Sequence, residues 1–116
     1  MRKRNKGNIL SRPKNQRKAL LKSLATGLFL HGKIITTVPK AKVLRSVADK
    51  FITRAKGNTL ADRRLLAAAL APQIVKKLME EIAPQYATRK GGYTRLIRMG
   101  RRPSDGASMV IVELVK

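Results

Sequence analysis

No aspartate or glutamate occurs in the first 48 residues of this chain, which carry thirteen lysines and arginines. A fold built from that half must hold thirteen like charges apart or meet an anion, because no carboxylate within the segment can pair with them. Solubility is served by mixed signs, so a solvated helix face does not account for the pattern. The remainder is better balanced: residues 49–88 hold seven basic and four acidic residues, and residues 89–116 hold seven and two. Over all 116 residues the formal net charge is +21. Two basic blocks flank a nearly balanced middle, and the partner they imply is rich in phosphate. With 43% hydrophobic residues the chain can still bury a core, so one globular domain is expected rather than a disordered polycation.

Several classes of function are disfavoured at once. The absence of cysteine removes disulfides, thiolate catalysis and Cys-based zinc sites. The single histidine, His31, falls at a predicted helix C-terminus, where a structural or RNA-facing role is expected. No nucleophile elbow and no glycine-rich phosphate cradle occurs. Glu80 and Glu81 are adjacent, so on a helix they point about 100° apart and cannot share acid/base work. Each follows a lysine by four residues (Lys76, Lys77), and surface ion pairing is expected. Six scattered acids do not assemble a Mg²⁺ site. The expectation is no enzyme, no catalytic residue, no metal, no cofactor and no small-molecule substrate. The longest uncharged run, Leu65 to Val75, has eleven residues and contains Pro72. A bilayer needs about 20 apolar residues, so no membrane partner is expected. The acid-free, Arg-rich start has the composition of a transit peptide, but a cytoplasmic, soluble chain is the better reading.

The hydrophobic periods divide the chain into a basic N-terminal arm, residues 1–10, and a single domain, residues 11–116. Ser11 is the expected N-cap and Pro13 the first turn of a helix running to about His31, with Leu20, Leu21, Leu24 and Leu28 as its apolar stripe. Gly32 suits the left-handed residue that ends it. Lys33 to Thr37 is β-branched and reads as a strand. A second helix follows Thr37 and Pro39, with Val43, Leu44, Val47, Ala48, Phe51, Ile52 and Ala55 inward, and stops at Gly57 and Asn58. Thr59 caps a third, with Asp62 as capping-box partner, and its Leu60–Leu70 run is expected to be well buried. Pro72 opens a fourth, with Ile74, Val75, Leu78, Met79 and Ile82 inward. Gly91-Gly92 is a turn, and the runs from Tyr93 and from Ser108 form an antiparallel hairpin across Arg101–Gly106. The order helix, strand, three helices, two strands makes a two-layer α+β fold with a small three-stranded mixed sheet.

Lysines and arginines set on phosphates release counterions, which supplies affinity. Lys14, Lys18 and Lys22 recur every four residues beside the leucine stripe, in a block that also holds Arg12 and Arg17. Arg89, Lys90, Arg95, Arg98, Arg101 and Arg102 make the hairpin a second basic surface. Arg95 and Arg98 are an odd number apart and so point to opposite sheet faces. Aromatic residues are 3% of the chain, and Phe29 and Phe51 fall in helical core positions. Base stacking is therefore disfavoured, and binding runs through backbone and shape. A DNA-compacting protein is the rival reading, with Met99 as its only candidate wedge.

Three separated motifs in order carry a family resemblance. Ile34-Ile35-Thr36-Thr37-Val38-Pro39-Lys40-Ala41-Lys42, continued by Asp49–Lys56, resembles the signature region of the bacterial large-subunit ribosomal protein L17 family. Gly91-Gly92-Tyr93-Thr94-Arg95, Gly100, Asp105 and Ile111–Leu114 are similar to its closing hairpin. Met1-Arg2, Leu10 and Arg17-Lys18-Ala19 match its opening. Lys3 and Gln16 stand where histidine is common in the family, and Val43 stands where an acid is usual. The resemblance implies a structural protein of the large subunit that binds 23S ribosomal RNA near the peptide-exit side, beside other large-subunit ribosomal proteins, in the cytoplasm. By matching position, it implies RNA contacts at Arg2, Lys3, Arg4 and Lys6, at Thr37, Lys40 and Lys42, and along Arg89 to Arg102.

Overall fold

The computed structural model describes residues 13–115. The basic arm, the Ser11 cap and Arg12 lie outside the described residues.

The first helix, α1 (Lys14–His31), starts two residues later than a Ser11 cap implies: Pro13 is its N-cap, with extended backbone at ψ 158°, and not a member of the first turn. Gly32 ends it at φ 82°, and the Gly32 N–H donates to the Leu28 carbonyl at 2.8 Å. That left-handed conformation is open to glycine without a Cβ penalty. Ala25, Leu28 and Phe29 are buried, while Leu20, Leu21 and Leu24 are half-buried toward the helix start. Strand β1 (Lys33–Thr37) leads directly into α2 (Val38–Lys56), whose first turn contains Pro39. Ala41, Leu44, Ala48, Ile52 and Ala55 form its buried stripe, with Val43, Val47 and Phe51 half-buried along its flanks. Phe51 meets Phe29 edge-on, with ring centroids 6.3 Å apart.

Gly57 is still helical, and the chain turns at Asn58, which takes φ 52°. Helix α3 (Leu60–Ala69) is capped by Thr59, whose Oγ1 accepts the Asp62 N–H at 3.1 Å and donates to Asp62 Oδ2 at 2.8 Å. The expected deep burial of Leu60–Leu70 is corrected here: Leu66 and Leu70 are buried, but Leu60 and Leu65 are 64% and 54% exposed. The alanine- and leucine-rich composition favours helix, yet a helix resting on its neighbours along one side buries one stripe.

The fourth helical run is α4 (Pro72–Lys77), a π-helical turn (Leu78–Ile82) and α5 (Ala83–Gln85). Ile74, Val75, Leu78, Met79, Ile82 and Ala83 face inward. The widened turn, in which the Ala83 N–H reaches back to the Leu78 carbonyl, lies immediately before Pro84. Proline has no N–H and its ring crowds the carbonyl four residues back, a conflict that local widening relieves. The same widening spoils the four-residue stacking of Lys76 with Glu80 and Lys77 with Glu81. The expected pairs do not form: both glutamates are exposed, and neither is in an ion pair among the described residues. Lys77 Nζ donates instead to the Leu30 carbonyl at 2.8 Å, satisfying an end group of α1.

Strands β2 (Thr94–Arg101) and β3 (Ser108–Leu114) form the closing hairpin. The sheet order is β1-β3-β2, and both pairings are antiparallel. This corrects the expected mixed sheet. β1 and β2 run in the same direction, but β3 inserts between them and takes the hydrogen bonds of both. Thr36, Thr94, Val110 and Val112 are buried on the face toward α1 and α2, with Ile34 and Leu96 half-buried beside them. The helices therefore cover one face of the sheet, as a two-layer α+β fold requires.

Candidate nucleic-acid interface

Strand register decides which basic residues share a surface. Thr37 at the end of β1 opposes Met109, and Met109 opposes Gly100 of β2. With strands about 4.8 Å apart, Thr37 and Gly100 sit roughly 10 Å from each other. This end of the sheet, the distal end, gathers Thr37, the first turns of α2 with Lys40 and Lys42, and the hairpin residues Arg98, Arg101 and Arg102. Two clusters about sixty positions apart in sequence become one surface. The first turn of α2 contains no acid and Thr37 makes no side-chain cap, so the positive end of the helix dipole adds to these cations.

Within that surface Arg102 differs from its neighbours. Its Nε donates to Asp105 Oδ1 at 3.0 Å across the hairpin loop, and its second guanidinium nitrogen meets Oδ2. The pair, with the Ala107 N–H also donating to Oδ1 at 3.1 Å, holds the Asp105 carboxyl down to about 2. Lys42, Arg98 and Arg101 are exposed, and among the described residues none of them is in an ion pair. A bulge at Arg98/Gly100 leaves Met99 exposed on the edge strand.

The other expected positions lie elsewhere. Arg89, Lys90 and Arg95 belong to the opposite, proximal end, where Thr94 pairs with Leu114 and the Val115 N–H donates to the Tyr93 carbonyl. Arg95 Nε donates to Glu113 Oε1 at 2.8 Å across the strands. Arg95 and Arg98 do point to opposite faces: Arg95 sits opposite Glu113 on the open face, and Arg98 opposite Val110 on the helix side. Lys14, Lys18 and Lys22 are exposed along α1, with Arg17 half-buried. Lys18 and Lys22 border a groove of ≈ 440 Å³ lined by Leu21, Val47, Phe51, Ala68 and Ala69. That stripe belongs to the helical side of the molecule. Arg2, Lys3, Arg4, Lys6 and Arg12 lie outside the described residues.

The proximal end is knit by two tyrosines: Tyr86, which had no sequence assignment, and Tyr93, expected only as the start of a strand. Tyr86 and Tyr93 are buried, their ring centroids 5.2 Å apart. Tyr86 Oη donates to the Val115 carbonyl. Lys56 Nζ donates to Tyr93 Oη at 3.0 Å and to the Arg89 carbonyl. The ammonium beside it draws the Tyr93 phenol below its ordinary value. Lys56 is thus a structural lysine.

Sequence reasoning also passed over Arg45, Lys50, Arg54, Arg63 and Arg64, all exposed on α2 and α3. The helical period of α2 could have found Lys50, which falls opposite Leu44, Ala48 and Ile52, but not Arg45, which borders that stripe. Acids temper this side. Asp49 and Asp62 line an open hollow of ≈ 630 Å³ with Lys50 and Arg54, and Arg54 lies 3.8 Å from Asp62. Burial raises the Asp49 carboxyl, against an opposing hydrogen bond from Thr94. Among the described residues no group of three or more histidines or acids could hold a metal ion, and no helix is long and apolar enough to cross a membrane.

Comparison with known proteins identifies the family. The family model described as ribosomal protein L17 matches residues 20–115. A protein of Heliobacterium modesticaldum named large ribosomal subunit protein bL17 is 55% identical, over 90% of this chain and 95% of its own length. Its namesake in Clostridium acetobutylicum is 51% identical, over 91% of this chain and 94% of its own. With the signature segment, the closing hairpin and the helical middle all inside the matched region, the chain belongs to the ribosomal protein L17 family.

Proposed function

We propose that this chain is a structural constituent of the large ribosomal subunit. It binds 23S ribosomal RNA near the peptide-exit side through phosphate-directed lysines and arginines, and it supports subunit assembly. As a bacterial ribosomal protein it acts in the cytoplasm, among neighbouring large-subunit proteins, and its role is architectural, not enzymatic. One observation carries the reading. The register of the sheet sets Thr37, which leads into the helix that carries Lys40 and Lys42, in line with Gly100 between Arg98 and Arg101, in a chain whose first 48 residues contain no carboxylate. Such a surface meets a polyanion by releasing its counterions, and it lacks the aromatic platform that base reading needs.

The test is salt-dependent binding to a 23S transcript. Replacing Lys40, Lys42, Arg98 and Arg101 by glutamine makes the slope of log affinity against log salt shallower by about 3 to 4 if each cation neutralises one phosphate. An unchanged slope removes the distal end from the interface. Deleting residues 1–10 weakens the same binding while the domain stays folded, and an unchanged affinity denies the arm its role. Duplex DNA competing as well as the transcript would favour the DNA-compacting alternative.

A further inference from the structure

The sheet face turned away from the helices carries a surface of a different kind. Ile35, Ile111 and Ile97 stand directly opposite one another across the three strands, forming a continuous apolar row. Ile35 is 59% exposed and Ile97 is 41% exposed. An antiparallel sheet covered on one side is expected to show polar residues on the other, so three adjacent isoleucines there break the alternation. The next row along the strands is Lys33, Glu113 and Arg95, in the same register. Glu113 neutralises Arg95. In a chain of +21, this face combines apolar exposure with a cation already cancelled by the protein itself.

We infer that this face docks an apolar segment of a neighbouring protein of the large subunit, one that brings a carboxylate toward Lys33. The inference rests on the ribosomal reading above and adds which face meets protein and not RNA. Three arguments select the occupant. Phosphates seek clustered unpaired cations, and here Arg95 is paired, which leaves Lys33 as the one unpaired cation of the row among the described residues. A second copy would bring another +21 against the first, which charge repulsion opposes. The row spans three strands and a few residues along each, a footprint on the order of 200 Å², against about 800 Å² per partner in a stable free-standing complex. The contact therefore forms inside the assembled particle, where RNA already holds both proteins in place, and leaves the free chain unpartnered on this face.

The absence of cysteine makes the test direct. Ile97→Cys and Ile35→Cys each introduce a unique thiol at an exposed position. Each variant is assembled into large subunits in cells, and its alkylation by a maleimide is compared with that of the free protein. The inference expects at least tenfold slower alkylation in the particle. A thiol-attached benzophenone at either position is then expected to cross-link to another ribosomal protein. Variants that enter the subunit with thiols as reactive as in the free protein overturn the inference and leave the ribosomal reading standing. So do cross-links to RNA or to a second copy. Should both variants and the unmodified chain stay out of large subunits, the ribosomal reading fails and this inference falls with it.

Discussion

The two ends of the sheet use the same residue types for opposite purposes. At the proximal end two of the cations are engaged across the fold: Lys56 holds the Tyr93 hydroxyl and the Arg89 carbonyl, and Arg95 holds Glu113. At the distal end Lys42, Arg98 and Arg101 face outward, without an ion-pair partner among the described residues. The difference follows from what surrounds each end. The proximal end closes over two buried tyrosines, whose hydroxyls must be hydrogen-bonded to stay there. At the distal end the hairpin residues 97–106 are all exposed, so no buried hydroxyl there calls for a lysine. A count of lysines and arginines therefore overstates the surface available to phosphate, because part of it is consumed internally.

The largest effect expected from this contrast is on stability. Tyr93→Ala removes a fully buried ring at the proximal end and is expected to cost about 3–5 kcal/mol in urea unfolding. A much smaller loss would mean that this end is not part of the core. The four glutamine replacements at the distal end, three of them exposed and Lys40 half-buried, are expected to change the same measurement by less than about 1 kcal/mol, as surface substitutions do. A large loss there would erase the distinction between the ends.

Lys56→Met sharpens the contrast further. It deletes the bond to Tyr93 and is expected to cost about 1 kcal/mol while leaving the salt dependence of RNA binding unchanged. A shallower slope would show that this lysine also serves phosphate.

The smallest effect concerns the hairpin loop. Asp105 is held down to about 2 from its ordinary 3.8 by Arg102, so its contribution is complete above pH 4 and is lost as pH falls from there toward 2. Carboxyl titration by NMR is expected to show a midpoint near 2, moving up toward 3.8 in Arg102→Gln. A midpoint near 3.8 in the unaltered chain would leave Arg102 as available as Arg101.

Much of the fold was legible because local rules were strong. Gly32 at φ 82°, the Thr59–Asp62 cap and the inward set of the fourth helix each follow from a residue type at a fixed offset. The errors came where composition stood in for period. Leu60–Leu70 is apolar enough to suggest burial, but one helix side suffices to seat it. The Lys76–Glu80 and Lys77–Glu81 pairs assumed a regular helix that Pro84 does not permit. For the interface, the basic residue types were readable, but their grouping was not, since neither register nor internal hydrogen bonding is encoded locally.

By itself the sequence determined the charge asymmetry, the order of elements and the kind of partner, because net charge and hydrophobic period are properties of the chain that folding does not change. Tertiary structure alone decided that β3 would lie between β1 and β2, so that Thr37 falls in line with Gly100 and Ile35 lines up with Ile97. It also decided which cations turn inward, because a hydrogen bond such as that from Lys56 to Tyr93 exists only once segments 37 residues apart are brought together.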